Sequence, residues 1–98
     1  MSSQVDALER VGVVGAGTMG GGIAQVAAIA GYDVVMRDIE QEFVDNGFET
    51  IDDSLDSMVD SDDLSAAAAD EARDRITGTT DLDDLADCDI VVEAVVED

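Results

Sequence analysis

The chain alternates short apolar runs with longer amphipathic stretches, and the period changes at each boundary. Arg10–Val14 predicts a first strand. From Thr18 to Ala30 the apolar positions Met19, Ile23, Val26, Ala27 and Ala30 recur at helical spacing. They predict a helix with that set as its inner face and Gly31 as its stop. Asp33–Arg37 predicts a second strand, an apolar run of the kind buried on both sides of a parallel sheet. Between Glu40 and Val59, the residues Val44, Phe48, Ile51, Leu55 and Met58 step by four, three, four and three. That is the stripe of a long amphipathic helix, and Asp45, Glu49, Asp52, Asp53 and Asp56 fall on its solvated faces. Asp60–Asp63 reads as a turn and Ser65 as the N-cap of a second helix reaching Ile76, with Leu64, Ala68, Ala72 and Ile76 inward. The two helices form an antiparallel hairpin. Thr77–Thr80 predicts a third strand, Asp81–Ala86 a single helical turn, and Ile90–Val92 with Ala94–Val96 a last buried strand and its exit. Strands alternating with helices place the chain in the α/β class. The expected architecture is a doubly wound parallel sheet, incomplete at about four strands, with the hairpin between strands 2 and 3.

The junction of the first strand and helix carries its own chemistry. Gly15, Gly17 and Gly20 form a G-x-G-x-x-G pattern between a predicted strand and a predicted helix, and Asp38 follows 18 residues after Gly20 at the end of the second strand. This is the arrangement of a Rossmann-type dinucleotide site. Gly15 permits a sharp turn, Gly17 removes a side chain where a pyrophosphate approaches, and Gly20 lets the helix lie close. The helix N-terminus then directs N–H groups and a partial positive charge at the phosphates. A carboxylate at Asp38 suits a ribose diol and disfavours a 2′-phosphate, so NAD is expected over NADP. Arg37 alternates to the opposite face of the strand and is not expected to clamp a phosphate. A plain structural turn for the glycines, and a helix cap for Asp38, are the competing readings.

Composition narrows the partners. The 98 residues contain 25 acids against four arginines (Arg10, Arg37, Arg73 and Arg75), with no lysine or histidine, for a net charge of −21. Nucleic acid and anionic membranes are therefore poor partners. The acids are spread between apolar positions, which predicts a folded, salt-adapted (halophilic) surface and not an acidic tail. Cys88 is the single cysteine and is expected to pack, not react. No secretory signal or membrane span is visible, so a cytoplasmic chain is expected. Metal binding is not expected from a chain with one cysteine and no histidine. General acid–base constellations are missing for the same reason, and Glu93 and Glu97 are the only acids near the end of the last strand.

The run from Gly15 through Met19, Gly20 and Ile23 to Gln25, continued by Ala30–Asp38, resembles the NAD-binding domain of the 3-hydroxyacyl-CoA dehydrogenases. Asp89–Asp98, with its repeated Val-Val-Glu, resembles the family's strand after the helical hairpin. The resemblance covers Arg10 to Asp98 and is weakest between Glu40 and Ile76. It implies that Gly15, Ala16, Gly17, Thr18, Met19 and Gly20 contact NAD and that Asp38 holds the adenosine ribose. It further implies that Val95, Val96 and Glu97 border the nicotinamide, and that Ser54 touches the CoA moiety of an acyl-CoA substrate. Asp60, Ser61 and Asp62 stand where the family often carries a basic residue, which weakens the CoA expectation. The family's histidine base, its glutamate partner and its helical dimerisation domain have no counterpart in residues 1–98. The expectation is thus the N-terminal cofactor-binding part of a 3-hydroxybutyryl-type dehydrogenase of fatty-acid metabolism, homo-oligomeric at full length. This part is expected to be inactive alone and to expose an unpaired sheet edge. A free-standing NAD or adenine-nucleotide module, and a truncated product without function, are the alternatives.

Overall fold

A computed structural model describes residues 9–94. Four parallel strands, β1 (Arg10–Val14), β2 (Asp33–Arg37), β3 (Ile76–Thr79) and β4 (Ile90–Glu93), form one sheet in the order β3-β2-β1-β4. Three helices intervene: α1 (Thr18–Ile29), α2 (Gln41–Asp60) and α3 (Ala66–Asp74), followed by a 3₁₀ turn at Leu82–Leu85. The helical hairpin between β2 and β3 is α2 and α3.

Strand alternation sorts the side chains. Val11, Val13, Val34, Met36 and Ile76 join Ala24, Ala28, Ile51, Leu55, Ala69 and Ala72 in one core, so all three helices pack on a single face of the sheet. Gly12 faces the other side, against Leu85 of the 3₁₀ turn and Cys88. Backbone hydrogen bonds finish each helix. Tyr32 N–H donates to Ala27 O and Gly31 N–H to Ala28 O, both at 3.1 Å, a Schellman motif around Gly31 at φ 108°. Asp62 at φ 62° closes α2 in the same way through Asp62 N–H to Val59 O and Asp63 N–H to Met58 O. The Ser65 hydroxyl caps α3 by accepting from Ala68 N–H at 3.1 Å, as expected.

Three expectations are corrected. The inner face of α1 centres on Ala24 and Ala28, both fully buried, with the expected Ile23 and Ala27 packed partly against the core, while Met19 and Val26 are 55% and 67% exposed. The two alanines, not the larger side chains of the expected set, take the deepest positions against the sheet. Next, α3 ends at Asp74 with Arg75 as its cap, and Ile76 is the first residue of β3, where a β-branched side chain is favoured. Ala69, not Ala68, accompanies Ala72 inward. Finally, the side chains of β4 are not buried, Ile90 and Val91 being 47% and 45% exposed, although its place at the sheet edge is as expected: among the described residues it pairs with β1 alone. The expected exit strand over Val95 and Val96 lies outside the described residues. Among the described residues no helix is long and apolar enough to cross a membrane.

Candidate cofactor site

The carboxyl ends of the strands set the place. Val14 aligns with Arg37 on one side and Glu93 on the other. The sheet extends from β1 to β2 and β3 in one direction and to β4 in the other, the reversal at which open α/β sheets hold ligands. The loop from Val14 to α1 crosses this point.

Gly15 adopts φ 105°, which a side chain would strain, and its N–H donates to Arg37 O at 2.8 Å. A Cβ at Gly20 would lie 1.6 Å from Gly15 O and 3.6 Å from a Val13 methyl. The third glycine is therefore required by the loop's own carbonyl more than by the strand behind it. Gly17 is the N-cap of α1, and a Cβ there would meet nothing within 4 Å. The loop is therefore open outward at Gly17. No side chain caps α1 and no acid sits in its first turn, which leaves the positive end of the helix available to an anion.

Asp38 is half-buried beside the loop. Its Oδ2 accepts from Ala16 N–H at 2.8 Å and its Oδ1 from Ile39 N–H at 2.7 Å. The N-cap of α2 is Glu40, so Asp38 is not a helix cap. Each carboxylate oxygen keeps a further lone pair for a hydroxyl, and the carboxylate is fixed to the loop that would carry the phosphates. Arg37 turns the other way, its Nε donating to Thr80 O at 3.1 Å. The glycines, Ala16 and Asp38 thus come together as the sequence implied, in an arrangement that fits a dinucleotide.

Other expected residues stand apart. Met19 lies at the mouth of an open apolar groove of about 700 Å³ formed with Ile23, Val26, Tyr32, Ile90 and Val92. Ser54 is half-buried on α2, roughly two turns (~10 Å) beyond the part of that helix that touches the loop. Nearby Asp52 is paired with Arg73 at 2.9 Å, and the Arg73 guanidinium stacks on Phe48 at 3.9 Å. Val95, Val96 and Glu97 lie outside the described residues. A second depression of about 540 Å³, lined by Arg10, Asp33, Arg75 and Asp87 among others, sits at the amino ends of the strands, away from the loop. Among the described residues no cluster has the makings of a metal site. Burial pushes the Cys88 thiol above its usual pKa, with Arg10 opposing and Asp87 and Asp89 adding to the shift, which fits a packed, unreactive cysteine.

Two contacts escaped the sequence reading. One is the bond between Asp38 and Ala16. The other is Gly47 of α2, which lies directly behind Ala16. A glycine on the buried stripe of an otherwise regular helix is the only sequence signal for it.

Comparison with known proteins agrees with this geometry. A family model described as 3-hydroxyacyl-CoA dehydrogenase, NAD binding domain, matches residues 10–98. A probable 3-hydroxybutyryl-CoA dehydrogenase of Deinococcus radiodurans is 53% identical over 88 residues, covering 90% of this chain and 31% of that protein. The fatty acid oxidation complex subunit alpha of Psychrobacter arcticus is 41% identical over 96 residues, 98% of this chain and 13% of its own length. The crystal structure of (S)-3-hydroxybutyryl-CoA dehydrogenase from Ralstonia eutropha superposes with a TM-score of 0.89 at 46% identity, covering 93% of this chain and 32% of that one. The chain thus spans about a third or less of the length of these relatives.

Proposed function

Since the chain belongs to the NAD-binding domain of the 3-hydroxyacyl-CoA dehydrogenase family, we propose that it supplies the cofactor grip of an enzyme that oxidises a 3-hydroxyacyl-CoA. The observation that carries this is the joint geometry of the open Gly17 rim, the uncapped α1 and the loop-bound Asp38. In this reading residues 15–20 contact the cofactor, with the glycine turn at its pyrophosphate, and Asp38 holds the adenosine ribose. Val95, Val96 and Glu97 border the nicotinamide, and Ser54 contributes weakly to CoA binding. NAD, when bound, exchanges hydride with C3 of the substrate. The chain's own residues bind and orient the cofactor and move no proton, because 98 residues without histidine or lysine offer no general base poised near neutrality. Residues 1–98 are accordingly expected to show no dehydrogenase turnover by themselves, which an NADH-coupled assay checks directly. A 3-hydroxybutyryl-CoA substrate is favoured by the names of two similar relatives, 53% and 46% identical to this chain.

The acid excess bears on the same site. A net charge of −21 repels an anionic dinucleotide at low salt, whereas at about 1 M salt the Debye length falls to about 3 Å and the repulsion is screened. We therefore read the surface as adapted to a salt-rich cytoplasm. The test is a fluorescence titration of the chain with NADH in concentrated KCl, beside Asp38→Ala. Saturable binding that the substitution weakens by about tenfold or more, the scale of lost hydrogen bonds to a charged group, is expected. A folded chain that binds no NADH would refute the proposal.

A further inference from the structure

We propose that Gly47, in the middle of α2, is a positioning residue for the phosphate-binding loop: its missing side chain lets α2 press against Ala16 and hold the loop in its gripping shape. This inference rests on the cofactor reading above and deepens it.

A Cβ built at Gly47 would lie 2.5 Å from Ala16 O, 3.0 Å from Ala16 Cβ and 3.0 Å from Met36 Cε. The first of these is a backbone atom and cannot swing aside. Ala16 and Met36 are both fully buried, so neither has room to retreat. Ala16 N–H is already engaged by Asp38 at 2.8 Å, and the next residue back, Gly15, is tied to Arg37 O at 2.8 Å. The loop is held at its base by the Asp38 carboxylate and backed by α2 at the Ala16 carbonyl. A methyl group at position 47 must therefore drive Ala16 toward the phosphate side or lift α2 off the loop.

Helix propensity argues the same way. Glycine inside a helix is unfavourable relative to alanine, so α2 alone would gain from the substitution. The contact with Ala16 opposes that gain. Gly21 on α1 shows the contrast, since a Cβ there would sit 3.5 Å from Gly47 O, an ordinary contact distance. Close approach is needed at Gly47 and not at its neighbour across the helix crossing. In this reading the phosphates meet the loop directly, whereas the adenosine ribose feels it only through the Asp38–Ala16 bond, so displacement of the loop falls first on the phosphates.

The experiment compares ADP, adenosine and NADH binding to the 98-residue chain in concentrated KCl, by calorimetry and ligand-observed NMR. Gly47→Ala is expected to weaken ADP and NADH by about tenfold or more while adenosine changes by less than about threefold, as for a lost contact to a charged group. Ile51→Val, a buried change on the same helix, lowers the melting temperature and keeps the ratio of ADP to adenosine affinity. That ratio separates loop positioning from simple destabilisation. Ala16→Gly removes the loop's methyl from the same contact and overpacks nothing, so it reports even if Gly47→Ala does not fold. It is expected to lower the ratio too. A wild-type chain that binds no NADH refutes the cofactor reading itself. A wild-type chain that binds, with the ratio unchanged in Ala16→Gly or in folded Gly47→Ala, overturns the role of Gly47.

Discussion

At the scale of single residues, carboxylates that accept backbone N–H groups organise both ends of β1. Asp38 holds the loop that leaves it, and Asp89 holds the segment that enters it. The Asp89 Oδ2 accepts from Glu9 N–H at 2.8 Å and from Arg10 N–H at 2.9 Å, tying the start of β4 to the start of β1. These two bonds hold its carboxyl below the ordinary carboxylate range, outweighing desolvation, with Arg10 adding to the fall. A depressed folded-state pKa stabilises the fold at every pH above the unfolded value of about 3.9. That contribution fades as the pH drops through the folded value, because protonation must then break the bonds. Asp89→Asn should therefore be less stable than the wild type at neutral pH, and the difference should shrink as pH falls below about 4. Paired denaturation curves across pH 3–7 measure it. A gap that persists undiminished at the acid end would show that the carboxylate charge plays no part.

At the scale of elements, the helix ends were readable where a side chain or a glycine makes the stop, and the helix faces were not always so. Ser65 is recognisable as a cap because its hydroxyl replaces a missing backbone partner, and it does so at 3.1 Å from Ala68 N. Ser65→Ala should cost about 1 kcal/mol, and in a domain of this size lower the melting temperature by roughly 4–8 °C, with cofactor affinity unchanged. Thermal melts followed by circular dichroism check the first, and the NADH titration the second. The glycine loop and Asp38 were legible because each residue type answers one mechanical need. The face of α1 was misread in part for a physical reason: hydrophobicity ranks Met19 and Val26 above alanine, but Ala24 and Ala28 take the deepest positions against the sheet. Gly47 was missed on similar grounds. The stripe of α2 was traced through large side chains such as Phe48, while the deepest contact is made by the residue with none.

At the scale of the whole molecule, two opposed surfaces govern behaviour in solution. One is the acidic shell, 25 acids against four arginines, in which the described residues show only two ion pairs, Arg73–Asp52 and Arg75–Glu71 at 3.8 Å. The other is the outer edge of β4, unpaired among the described residues, with the apolar groove beside it. The shell destabilises the compact state by self-repulsion and also keeps copies apart. The edge offers unpaired backbone groups and apolar area, which favours association. Salt acts on both through one cause. Raising KCl from about 0.1 M to about 2 M shortens the Debye length from about 10 Å to less than 3 Å. The melting temperature should then rise, and so should self-association at a fixed protein concentration. Ile90→Lys places a charge where the groove meets the edge, the device by which natural sheet edges resist pairing. It should suppress the association and leave the rise in melting temperature intact. Sedimentation velocity and thermal melts over a KCl series separate the two effects. A melting temperature indifferent to KCl would contradict the repulsion argument. Association that survives Ile90→Lys would place the contact elsewhere than on this edge.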